Sequence, residues 1–207
     1  MTPLIVSGFE PFGGAASNSS GEAALALHGS SVGGHRVHGL QLPCRFDGAA
    51  GMLQALIKRE RPALVLALGL APSRRGFSLE RVAVNWVDAR IADNAGAQPV
   101  DEAVLAGAPA AYFATLPLKA MAAALCEAGC VAELSMSAGS YVCNQLFYLL
   151  LHGLRDSGAA PRAGFMHVGA DLDAAQVAAG VRVALQAALT HRGPDRGPAR
   201  GSIDGCR

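Results

Sequence analysis

The sequence predicts an α/β fold: a single domain built on a largely parallel, twisted open sheet with helices on both faces. Three observations carry that prediction. Short apolar runs alternate along the chain with longer helical stretches. One run, "ALVLALGL", is continuously apolar and bounded by Pro62 and Gly69, as suits a central strand buried on both faces. Hydrophobic residues make up 51% of the 207 and charged residues only 16%, enough to bury a substantial core.

The elements follow in order. "LIVSG" reads as a strand, followed by a Gly/Ser/Asn-rich loop and a short helix from Ser20 to Leu27. "RVHGLQLP" is a second strand, leading to a helix from Phe46 to Arg59 and then to the central run. "ERVAVNWVDARIADN" begins as an alternating strand and ends in a polar loop. "LPLKAMAAALCEAG" is a helix with proline in its first turn and glycine just past its end. The strand "VAELSM", the apolar helix within "SAGSYVCNQLFYLLLHGL", the strand "AGFMHV" and a helix from Asp173 to Thr190 complete the domain, residues 1–190. The segment 191–207, "HRGPDRGPARGSIDGCR", reads as a disordered tail.

Composition excludes several classes of function. A formal net charge of +1 argues against a large electrostatic commitment to nucleic acid or to an acidic membrane. The start of the chain lacks a basic region before its short apolar run, and the longest apolar run is too short to span a bilayer. The expected location is the cytoplasm. The five cysteines (Cys44, Cys126, Cys130, Cys143, Cys206) are odd in number and lack a C-x-x-C, so thiols are expected rather than a disulfide framework. Cys126 and Cys130 are separated by the helix-ending Gly129, and His35 and His38 fall on opposite faces of a strand; no metal site is expected.

Ligands in open α/β sheets bind beyond the carboxyl ends of the strands. Four elements gather there: the loop after Val6, the loop after Leu68, the turn before Cys143, and His167. With Ser140 as the N-cap, Cys143 is the third residue of its helix, where the helix dipole and free amides favour a thiolate and offer an oxyanion hole. A buried structural thiol is the commoner use of such a cysteine. A nucleophilic cysteine needs a base. His152 lies nine residues along the same helix, roughly 13 Å up the axis, and cannot reach; His167 can, if its strand lies beside the one that delivers Cys143. Glu80 and Asp88 are both candidates to orient the imidazole, although either is an ordinary loop charge. "GFEPFGGAASNSS" lacks both nucleotide-binding glycine patterns, and offers instead Phe9 and Phe12 as walls of a small apolar pocket.

"GFEPFGG" followed by Asn18, "ERVAVNWVDARIADNAGAQPVDE", "AAYFATLPLKAM", "SAGSYVCNQLFY" and "AGFMHV" together, in this order, resemble the pyroglutamyl peptidase I family, the pyrrolidone-carboxylate peptidases. The resemblance spans almost the whole chain up to His167. It implies a cysteine exopeptidase, an omega peptidase, that removes N-terminal pyroglutamate from peptides through an acyl-enzyme, with no cofactor, usually as a homo-oligomer (dimer or tetramer). It places the nucleophile on Cys143, the base on His167 and the acidic member on Glu80. Its substrate-binding positions fall on Phe9, Phe12, Asn18, Ile91, Tyr141 and Val142, and an active-site arginine on Arg90. The chain departs from the family pattern after "GFMHV", where it reads "GADLDAAQ", and at "GLAPSR", where Leu70 replaces a substrate-contacting glutamine. Cys44 stands where a threonine is common. A cysteine amidase of altered N-terminal specificity, or a non-catalytic redox-sensing or binding protein on the same fold, are the alternative readings.

Overall fold

The computed structural model describes residues 2–155 and 161–191. The expected tail lies outside these residues except for His191. Along the chain run β1 (Leu4–Phe9), α1 (Ser19–Leu27), β2 (Ser31–Val32), β3 (His35–Leu42), α2 (Ala49–Glu60), β4 (Leu64–Ala71), β5 (Phe77–Glu80) and β6 (Val82–Val84). Then come β7 (Ala111–Phe113), α3 (Leu118–Glu127), β8 (Ala132–Ser135), α4 (Val142–Leu154), β9 (Arg162–Gly169) and α5 (Ala174–Thr190).

Seven strands form the main sheet in the order β2-β3-β1-β4-β9-β5-β8. The central pairings β3–β1, β1–β4 and β4–β9 are parallel, as the uninterrupted apolar run of β4 requires of a strand covered on both faces. The sheet is nonetheless mixed. β5 runs antiparallel to β9, and β2 antiparallel to β3. The strand expected to run on from Glu80 breaks at Arg81, where the chain leaves the main sheet after β5 and β6 pairs with β7 in a separate ribbon.

Alternation along the strands builds two cores. Leu4, Val6, Leu64, Leu66, Leu68, Leu79, Met166 and Val168 face α1, α3 and α5. Ile5, Phe9, Val65, Ala67, Ala163 and Phe165 face α2 and α4. The helix starts are chemically specified. Asn18 caps α1 by accepting from Ser20 N, and Asp173 with Gln176 forms a capping box at α5. Cys44 and Cys143 are free thiols. Cys126 is disulfide-bonded, which corrects the expectation of thiols throughout; a cysteine count does not decide which sulfurs fold within reach of one another.

α1 lies unusually close to the sheet. A methyl group at Gly8 would fall 2.1 Å from the Ser20 carbonyl oxygen, and one at Gly39 would fall 1.8 Å from that of Ala24. Both obstacles are backbone and neither can rotate away. Gly8→Ala should therefore push α1 off β1 and cost about 1–3 kcal/mol or more of stability, measured by urea unfolding. Wild-type stability in that variant would refute the close contact.

Candidate active site

The two-core arrangement decides which side chains meet. His167 and Phe165 lie on the same face of β9, the face covered by α4, with ring centroids 4.9 Å apart. In the β4–β9 register Gly69 lies opposite His167. A methyl group at Gly69 would sit 2.8 Å from Cys143 Sγ and 2.8 Å from Phe165 Cζ. Glycine at this position thus leaves the space that Cys143 occupies above the strand carrying its partner row.

Glu80 enters from the other side of β9. Because β5 is antiparallel to β9, Ser78 pairs with His167 and Glu80 with Phe165, so Glu80 shares the α4-side face. Its Oε1 accepts from His167 Nδ1 at 2.7 Å, and the carboxylate is fully buried. That bond leaves His167 Nε2 for another partner. Asp88, the other acid considered, has its backbone amide donating to Ser140 O, while its carbonyl accepts from Ser140 Oγ. His152 bonds Tyr112 Oη through Nδ1 at 2.9 Å and stacks on Tyr148, well along α4 from Cys143.

The start of α4 differs from expectation. Its N-cap is Tyr141 rather than Ser140, with no side-chain cap bond, because Ser140 Oγ is turned to Asp88. Cys143 is therefore the second helical residue. The amides of that first turn have no partner inside the helix. Asn144, the next residue, is completely buried and ties α4 to β6: it accepts from Val84 N and donates to Val84 O and Trp86 O. Its role escaped the sequence analysis, although an asparagine beside the cysteine on an apolar helix was a signal of a committed polar contact.

Burial works against the thiolate that the helix start favours: it pushes the Cys143 thiol up, Cys44 and Glu80 push in the same direction, and the Arg74 charge opposes them. Cys44, buried beside Tyr141, is itself pushed up to about 12 by burial and by Glu10 and Asp93.

The expected pocket residues fall into two groups. Phe9 and Val142 are core residues at 2% and 0% exposure. Phe12 is half-buried with its ring 6.3 Å from that of Tyr141. Tyr141 also packs edge-on against Phe46 at 5.3 Å and donates from Oη to Ala92 O. Ile91 is 49% exposed and Arg90 is exposed on the same loop. Asn18 is buried with its side chain already engaged: Oδ1 accepts from Ser20, and Nδ2 donates to Glu10 O. Leu70 faces the opposite way from Cys143 and packs into the α5-side core, so it does not reach the face that holds His167. Arg74, Glu10 and Asp93 were missed by sequence reading. Glu10 Oε1 accepts from Cys44 N and Asn94 Nδ2, and Asp93 accepts from the Phe46, Ala95 and Ala97 amides, lashing three strand-end loops together. Among the described residues no group of three or more His, Cys, Asp or Glu could hold a metal ion.

The raised thiol has a spectroscopic consequence. Subtracting the Cys143→Ser spectrum from the wild type at pH 7 should leave no thiolate absorbance at 240 nm, with the band growing only at strongly alkaline pH. A full thiolate band at neutral pH would show that the helix-start field outweighs burial.

Comparison with known proteins gives a consistent result. The family model described as pyroglutamyl peptidase matches residues 2–188. A pyrrolidone-carboxylate peptidase of Chromobacterium violaceum is 49% identical over 168 residues, covering 81% of this chain and 78% of the relative. One from Erwinia tasmaniensis is 48% identical with the same coverage. Among solved structures, a mutant pyrrolidone carboxyl peptidase from Pyrococcus furiosus superposes with a TM-score of 0.86 at 36% identity, covering 90% of this chain and 98% of that one. The pyrrolidone carboxyl peptidase from Thermococcus litoralis gives 0.87 at 34% identity, covering 91% and 94%.

Proposed function

Because the chain belongs to the pyroglutamyl peptidase family, we propose that it removes N-terminal pyroglutamate from peptides, with Cys143 as nucleophile, His167 as proton carrier and Glu80 as its orienter. The observation that carries this reading is the buried Glu80–His167 hydrogen bond, on the sheet face where Cys143 lies over Gly69.

His167 Nε2 takes the Cys143 thiol proton, and Sγ attacks the pyroglutamyl carbonyl carbon. The carbonyl oxygen becomes an oxyanion, and the unpaired amides at the start of α4 are the donors aimed at it. Glu80 fixes the imidazole tautomer and stabilises the imidazolium. Collapse of the tetrahedral intermediate breaks the C–N bond, and the departing amine receives the proton from His167. Water then loses a proton to His167 and attacks the thioester; pyroglutamate leaves and the proton returns to Cys143.

Substrate chemistry agrees with the surroundings. Pyroglutamate is an uncharged lactam, so its site needs apolar walls and a few polar groups, and no carboxylate for an N-terminal ammonium. Phe12, Tyr141 and Ile91 are partly accessible apolar side chains of the strand-end loops; Phe9 and Val142 are core residues behind them. Asn18 acts indirectly, by holding the Glu10 carbonyl beside that loop. Arg90 contributes a cation at the entrance. A homo-oligomeric state and a cytoplasmic location, both implied by the family resemblance, belong to the same proposal. Among the described residues no helix is long and apolar enough to cross a membrane.

Hydrolysis of a pyroglutamyl-aminocoumarin, compared with prolyl and alanyl analogues in the presence of a thiol reductant, tests the assignment. Only the first should be cleaved; equal cleavage of all three would reject it. Cys143→Ala should abolish turnover. His167→Ala should cost on the order of 10²–10⁴-fold in kcat, Glu80→Gln less, and His152→Ala should leave kcat unchanged. A dead His152 variant beside an active His167 variant would reverse the choice of base.

Leu70 supplies an independent check. Its side chain lies in the α5-side core, so the loss of a glutamine hydrogen bond to substrate is not the expected consequence of this residue. Leu70→Gln should leave KM for the pyroglutamyl substrate unchanged and lower stability, since it sets an amide against apolar neighbours. A lowered KM would mean that position 70 does reach the ligand.

A further inference from the structure

We propose that Arg74 is a positioning residue for this reaction, holding the Glu80 carboxylate and the loop that delivers Cys143 in one fixed relation. The inference rests on the peptidase reading above and concerns a residue outside its triad.

The guanidinium spans three elements. Nη1 donates to Glu80 Oε1 at 2.6 Å, and Nη2 donates to the Ser137 carbonyl at 2.7 Å. Ser137 belongs to the segment between β8 and α4 whose last residue, Tyr141, caps the helix bearing Cys143. Arg74 itself sits between β4 and β5. One planar fork therefore connects the orienter, on β5, with the approach to the nucleophile, on α4.

The contact to Glu80 is not an ordinary surface ion pair. The Glu80 side chain is 0% exposed and that of Arg74 26%. Arg74 and His167 converge on the same oxygen, Oε1, while Oε2 has no hydrogen-bond partner among the described residues. A fully buried carboxylate with only the imidazole beside it would be poorly compensated for the water it has lost. The guanidinium supplies the compensating charge and fixes the oxygen on which His167 is oriented.

Arg74 is in turn held rigidly. Its amide donates to Ala71 O, closing a turn. Gly76 N donates to Asp171 Oδ1 at 3.0 Å, and Gly169 N donates to Gly76 O at 2.8 Å. A methyl group at Gly169 would lie 2.6 Å from the Arg74 carbonyl oxygen. The loop carrying Arg74 is thereby clamped to the end of β9, two residues past His167. Lysine cannot reproduce the fork, because a single ammonium reaches Glu80 or Ser137 O with no fixed geometry between them.

The test uses the full chain as wild type, Arg74→Met and Arg74→Lys. Three quantities are measured: kcat and KM on a pyroglutamyl-aminocoumarin, the rate of Cys143 alkylation by iodoacetamide followed on its peptide by mass spectrometry, and the thermal unfolding midpoint. Arg74→Met should lower kcat by about ten- to a hundredfold while KM moves less than about twofold, and should slow Cys143 alkylation about tenfold. Arg74→Lys should recover part of both, with unfolding midpoints close to wild type. Wild-type kcat and alkylation in Arg74→Met overturn the proposal, as do equal losses in both variants that track a lowered midpoint. If Arg74→Met does not fold, Arg74→Lys decides alone: reduced kcat at unchanged KM and midpoint supports the proposal, and wild-type kcat overturns it. A wild type that leaves the pyroglutamyl substrate intact, while Arg74→Met still slows alkylation, rejects the peptidase reading and keeps the positioning role.

Discussion

A carboxylate with no exposure to water organises the catalytic face. Glu80 sits where β5, β9 and the loop after β4 meet, and every group that makes its burial tolerable comes from a different element. Taking such a charge out of water costs several kcal/mol after relaxation, so the neighbours that compensate it are constrained to stay. Much of the local architecture follows from that one demand. The register of β5 on β9 sets Glu80 on the α4 side, the turn after Ala71 brings in a guanidinium, and the glycine at 169 lets that turn press against β9.

The sulfur obeys a different logic. Cys143 is placed by packing: Gly69 below it, Phe165 beside it, and Asn144 fastening the next residue to the β6 backbone. The same packing that secures the position pushes the thiol toward its protonated form, and the Arg74 charge opposes that push. The amides of the first turn of α4 have no partner inside the helix. In the mechanism proposed above they are the donors for the oxyanion.

How much of this was legible in the sequence depends on the range of the interaction. β4 could be read because its apolar run has no polar residue to hide, and α5 because Asp173 and Gln176 announce a cap from within one turn. Cys143, His167 and Glu80 were named because they stand in recognisable blocks. The reversal of β5 was not readable: four residues, "FSLE", alternate in the same way whichever direction they run. Nor was the break at Arg81, where the change of partner strand is decided by β7, some thirty residues later. The cap moved from Ser140 to Tyr141 because Asp88, distant in sequence, takes the serine hydroxyl. Arg74 carries no local pattern at all; its meaning is set by Ser137 and Glu80, reached only in three dimensions. Asn18 was assigned to substrate on the strength of a motif, and its side chain also caps α1, a role that local capping chemistry explains.

The position of β9 carries a consequence for how the chain reaches this state. It lies between β4 and β5, yet it is the last strand to be made. During synthesis β3, β1 and β4 can associate on one side and β5 with β8 on the other, while the two half-sheets share no strand. Until residues 162–169 insert, β4 and β5 each present a row of unpaired backbone groups, the kind of edge on which chains join one another. Insertion of this single strand closes both edges at once and delivers the imidazole to its carboxylate in the same event. Assembly of the sheet and assembly of the site are thus one late, long-range step, and a ribosome-bound chain stopped short of β9 is exposed to association and chemically inert together.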